Sequence, residues 1–167
     1  MRILKSLSLA VVLGFSPYLL GQAHDHPGKT NSLYARALFA SIAEMEKQWG
    51  RQADAPDYHH MVVEADHQVT DDLTTESEGY RVEYLDQKGQ IDRYQKLKRR
   101  FALLKIFPIK NEGTTLKIGI NVYYFSYKEE HQKKDLMYGL SDWSIVEFRF
   151  DCEKQEFVIS SVKLGGI

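Results

Sequence analysis

The sequence predicts an α+β domain in which an N-terminal helix and a shorter second helix pack on a curved antiparallel sheet of about five to six strands. Three observations lead there. Apolar residues recur at helical spacing between Ser32 and Trp49, and they alternate at strand spacing in several segments after Tyr80. The elements also segregate, running helix, two short strands, helix, then two long hairpins. Ten tyrosines within an aromatic content of 12% suit a sheet whose faces meet a core and a partly wet surface.

The chain opens with Arg2 and Lys5, an apolar run from Leu7 to Leu20, and the small-residue exit Gly21-Gln22-Ala23, the layout of an export signal. The run contains Pro17 and falls short of the ~20 residues that span a bilayer. The expectation is a signal peptide at 1–23, a flexible leader at 24–30 and one domain at 31–167, working in a periplasmic or extracellular setting. No membrane span is expected once the leader is removed. Loss of Arg2 and Lys5 takes the formal charge from -1 to -3, too balanced for wholesale attraction to nucleic acid or membrane. The single cysteine, Cys152, excludes an internal disulfide, so stability must come from packing.

The first helix is predicted from Ser32 to Trp49, where Leu38, Ile42, Met45 and Trp49 form one stripe. Asn31 or Ser32 caps it and Gly50 ends it. Pro56 marks 51–58 as a connection, and Met61-Val62-Val63 centre a short strand over His60 to His67. An acidic loop with Asp71, Asp72, Glu76 and Glu78 follows, before Tyr80, Val82 and Tyr84 alternate as a strand. Asp86-Gln87-Lys88-Gly89 reads as a turn, and Ile91, Tyr94, Leu97 and Phe101 place a second helix at about 90–100. Leu103–Ile109 and Leu116–Tyr127 are expected to form a hairpin through Lys110-Asn111-Glu112-Gly113, with Pro108 placing its first strand at an edge or at a bulge. Ser144–Cys152 and Glu156–Leu164 make the second hairpin. Within it Val146, Phe148, Phe150 and Cys152 share one face, so Cys152 is expected buried and inert.

This order of elements resembles the nuclear-transport-factor-2-like cone, or the neighbouring cystatin-like arrangement of a sheet over a helix. The resemblance covers most of residues 31–164 as a pattern of elements, without a residue-level motif. It implies a pocket at the open end of a bent sheet, and it spans isomerases, dehydratases, immunity proteins and binding modules.

The chemistry-bearing residues are few. Cleavage after Ala23 leaves His24-Asp25-His26 at a free terminus, whose amine, amide nitrogens and His26 imidazole suit tetragonal Cu(II) or Ni(II), with His24 adding another imidazole. His59, His60 and His67 do not make a zinc set, because neighbours on a strand point to opposite faces. In a cone-like fold Tyr80, Tyr84, Tyr124, His60 and Asp66 are the inner-face candidates for binding or for proton transfer. Arg93, Lys96, Lys98, Arg99 and Arg100 make a basic face on the second helix. Lys128–Asp142, with His131 among its charges and Leu136, Met137, Tyr138 and Leu140 among its apolar residues, reads as a long loop that lids a pocket or contacts a partner. Met137 and Tyr138 are its binding candidates. The function expected is a noncatalytic binding or interaction domain for a protein or small molecule, with no nucleic acid. A cone-fold enzyme acting on a small molecule by proton transfer and a terminal metal binder are the alternatives.

Overall fold

A polar cap and one apolar stripe make the first helix. The Ser32 hydroxyl accepts the Ala35 amide hydrogen at 3.1 Å, and α1 (Leu33–Trp49) ends where Gly50 turns to φ +64° and donates to the Glu46 carbonyl at 2.9 Å. Leu38, Ile42 and Met45 of the stripe are fully buried, joined by Ala35 and Ala37. The computed structural model of the protein describes residues 32–50, 59–70, 73–77, 79–130 and 133–166.

The other elements are β1 (His60–Glu64), β2 (Glu76–Ser77), β3 (Tyr80–Leu85), α2 (Gln87–Leu97), β4 (Phe101–Ile106), β5 (Lys110–Glu112), β6 (Thr115–Glu130), β7 (Lys133–Asp151) and β8 (Glu156–Gly166). All eight strands join one sheet in the order β2-β3-β1-β4-β6-β7-β8, with β5 beside β6. The class is α+β, as expected, but the sheet has more strands and is mixed. β1 runs parallel to both β3 and β4, and every other pairing is antiparallel. β2 and β5 are too short to show alternation in sequence. Strands that run parallel need a crossover, and α2 supplies the one from β3 to β4, which flank β1.

That crossover puts the helices on opposite faces of the sheet, not on one. Met61, Val63, Val82, Leu104, Ile106, Ile118, Ile120, Val122, Val146 and Phe148 pack with α1. Their strand neighbours Val62, Leu103, Phe125 and Tyr127 pack with Ile91 and Tyr94 of α2. Each fully buried large apolar side chain contributes about 1.5–3 kcal/mol. Within the α1 side, the hydroxyls of Ser41 and Ser144, both buried, hydrogen-bond to each other and tie the helix to β7.

Four local expectations are corrected. Asp86 is not in a turn: its carboxylate accepts the Gly89 amide hydrogen at 2.7 Å and caps α2, which starts at Gln87. Pro108 leaves β4 inside the sheet, between β1 and β6, because it falls in the break Phe107–Ile109 after that strand ends. The reversal comes later, at Gly113 with φ +68°, and closes β5 on β6. Cys152 is exposed. β7 stops at Asp151, whose carboxylate accepts the amide hydrogens of Glu153 and Lys154 at 2.9 and 3.2 Å and bends the chain, so the strand parity that would bury Cys152 no longer applies.

The largest correction concerns Lys128–Asp142. It is not a loop: β6 and β7 stay paired from Thr115–Arg149 to Glu130–Lys133, as one long hairpin. A bulge between Val122 and Tyr123, which leaves Ser141 of β7 unpaired, shifts the apolar phase. Leu136, Tyr138 and Leu140 on one side of the bulge share a face with Trp143 and Ile145 on the other. Even numbers become odd, and no single period runs through the strand.

Candidate interaction surface

The five tyrosine and methionine candidates do not converge. Tyr80 and Tyr84 lie on the α1 face of β3, near one side of the sheet. Tyr80 donates to the Glu46 carboxylate at 3.0 Å and stacks on His59, centroids 5.4 Å apart. Tyr84 donates to the Thr74 carbonyl at 2.9 Å, and burial pushes its pKa up to about 12. Tyr124 sits three strands away on β6, its ring 4.9 Å beneath the Arg100 guanidinium. Met137 and Tyr138 are on β7, and as strand neighbours they point to opposite faces.

The remaining candidates separate in the same way. His59 Nε2 lies 3.4 Å from the Glu46 carboxylate beside α1, whereas His60 Nε2 lies 3.6 Å from Glu83 on the other face. His67 follows Asp66 in an exposed turn, where the Asp66 carboxylate accepts the Gln68 amide hydrogen at 2.9 Å, so Asp66 and His67 do not line a sheet pocket. Among the described residues no three His, Cys, Asp or Glu gather as a metal site. His24, His26 and His131 lie outside the described residues. The basic stretch does not form one helical face. Arg93 pairs with Glu83 and covers Phe101, Lys98 ends the helix in the left-handed conformation at φ 55°, and Arg99 and Arg100 follow it.

Tyr138 is the candidate around which a surface forms. It stands at the rim of the α2-side cluster, its ring edge-on to Phe125 at 5.4 Å and to Tyr123 at 6.2 Å. Its hydroxyl donates to Gln90 of α2 at 3.1 Å, and the Gln90 amide donates in turn to the Leu85 carbonyl at 3.2 Å. Burial raises the Tyr138 pKa, the Glu64 carboxylate raises it further, and Lys105 opposes. The hydroxyl therefore stays a neutral donor.

Beyond Tyr138 no described helix covers the sheet face. Tyr123, Leu140 and Trp143 belong to neither buried cluster. The Trp143 indole lies against Gly165, where an added Cβ would stand 2.3 Å from the ring. Tyr123 accepts from the Asn121 amide at 2.9 Å. Met137, Tyr138 and Leu140 are 47, 42 and 38% exposed, so half of the exposed large apolar residues among the described ones fall within four positions of one strand. Tyr123, Leu140 and Trp143 were missed as site residues. Their signal was the alternation from Leu136 to Leu140, hidden by its change of phase at Ser141.

A second, polar depression of about 600 Å³ lies at the β2 side, lined by His59, His60, Glu76, Ser77, Gly79, Tyr80 and Arg81. Here Glu46 bridges His59 and Tyr80, while Arg81 Nε lies 3.4 Å from Glu76. No described helix is long and apolar enough to cross a membrane. No family model, curated protein or solved structure matches the chain.

Proposed function

We propose that the protein is an exported, noncatalytic binding module that recognises an apolar protein segment through the open sheet face of Tyr123, Tyr138, Leu140 and Trp143. The observation that carries this reading is that Tyr138 and Leu140 stand exposed on one face of a paired strand, next to two further aromatic side chains that no described helix covers. Tyrosine and tryptophan are residues that protein interfaces concentrate, because they bury much area for little lost rotamer freedom. The neutral Tyr138 hydroxyl and the Asn121 amide add polar groups that orient a ligand. The leader pattern supports export.

Selection of a displayed random-peptide library against the protein tests the proposal. Enriched peptides are expected to shift the emission of Trp143 and to lose roughly tenfold or more in affinity against Leu140→Lys. Peptides that bind Leu140→Lys as tightly as the natural protein would overturn it. The depression at His59 favours a second reading, proton transfer on a small molecule, because a carboxylate-bound imidazole beside a phenol is a proton-handling arrangement. Small-molecule fragments that shift the His59 ring resonances but not those of Trp143 would favour it.

A further inference from the structure

The side of β7 turned away from β6 has two parts. From Asp142 to Asp151 it pairs with β8, whereas from Lys133 to Ser141 no strand lies beside it among the described residues. Such an edge presents a row of main-chain donors and acceptors, and the exposed Met137, Tyr138 and Leu140 make it a template for another strand. We propose that this free edge pairs antiparallel with the same edge of a second copy of the chain, about a two-fold axis at Met137. The proposal deepens the binding reading above and rests on it only in making the recognition face double.

Symmetry restricts the pairing. In a two-fold antiparallel ladder a residue and its partner lie equally far from the axis on either side, so even-numbered positions face even-numbered positions. Use of the whole free edge places the axis at the midpoint of 133–141, which is Met137. Leu136 then stands opposite Tyr138 of the other copy, and Met137 opposite Met137. Gly139 faces Asp135 without a side chain to obstruct it. Within this ladder the stretch Leu136–Tyr138 is apolar in both copies. The edge is complementary to itself, and the pairing closes because each copy uses its only free stretch of β7. The axis runs perpendicular to the sheet, so the Tyr138–Leu140 faces of both copies lie on one side as a continuous platform.

The test uses protein expressed from the full sequence, its N-terminus read by intact mass. Sedimentation should give the mass of a dimer. In a Cys152→Ser background, needed because that thiol is exposed, Met137→Cys should oxidise to a linked dimer. Facing Cα atoms of an antiparallel pair lie about 4.5–5.5 Å apart, within disulfide reach. Lys47→Cys, exposed on α1, should not link. Tyr138→Lys should weaken dimerisation about tenfold or more while circular dichroism stays native. A monomer at about 100 μM, well above the dissociation constants of stable interfaces, overturns the proposal. A dimer in which Met137→Cys links no faster than Lys47→Cys also overturns it. Library peptides that still bind such a monomer and lose affinity to Leu140→Lys would leave the binding reading standing, which separates the two failures.

Discussion

Gly165 has an ordinary sequence context, yet the Trp143 ring lies against it. An alanine there puts a methyl inside the indole, so the ring must lift off the sheet. Gly165→Ala is expected to destabilise the protein by about 1–3 kcal/mol. The released indole moves into water, so its emission should shift to the red, with Trp49 as the one other tryptophan in the background. Unchanged emission together with unchanged melting would show that the indole does not rest there. The same residue-scale reasoning explains why Tyr80, Tyr84 and Tyr124 are fixed in place and offer no common pocket. Two of the hydroxyls already donate to Glu46 and Thr74, and the third ring is capped by Arg100.

At the scale of elements, α2 ends on a lysine where glycine is usual. Lys98 adopts φ 55°, ψ 24° to bring its N–H to the Tyr94 carbonyl at 2.8 Å. A side chain in that region costs ~1–2 kcal/mol, and glycine gives back part of the gain in backbone entropy. Lys98→Gly is therefore expected to stabilise the protein by about 0.5 kcal/mol. The change should appear as a higher urea midpoint with an unchanged slope. The element that matters most for the proposed binding is the β6–β7 hairpin, whose bulge at Ser141 lets apolar residues of both parities share one face. Its stiffness distinguishes it from a lid, since a paired ladder presents Tyr138 and Leu140 in fixed positions.

For the molecule as a whole, three tyrosines with raised pKa values shape the response to alkali. Tyr84 is raised to about 12 by burial, Tyr127 is raised by its hydrogen bond to Glu129, and Tyr138 by burial. The native state holds these protons where the unfolded chain has lost them. For Tyr84 this contribution to stability is complete below the free value of 10 and disappears as pH climbs toward 12. Tyr84→Phe is expected to lose about 1 kcal/mol at neutral pH, through its bond to Thr74, and to show a shallower decline in stability above pH 10. Denaturant titrations of both proteins across that range check it. Parallel curves would remove Tyr84 from the account.

The amino-acid order by itself determined the elements whose signals are local. Ser32 and the Leu38–Ile42–Met45 stripe specify α1, the alternation Tyr80–Val82–Tyr84 specifies β3, and the residues either side of Glu153-Lys154-Gln155 specify the last hairpin. It did not determine the partners of those elements. Parallel pairing of β1 with β3 and β4, the placing of the helices on opposite faces, and the phase change at Ser141 depend on hydrogen bonds between residues distant in sequence, which leave no mark on any one segment. The candidate surface was legible only in part, with Tyr138 as a binding candidate and Leu140 as one of the apolar residues of its segment. Tyr123 and Trp143 joined them in the folded chain, because a sheet brings side chains together by register and face, and both are decided only when the strands meet.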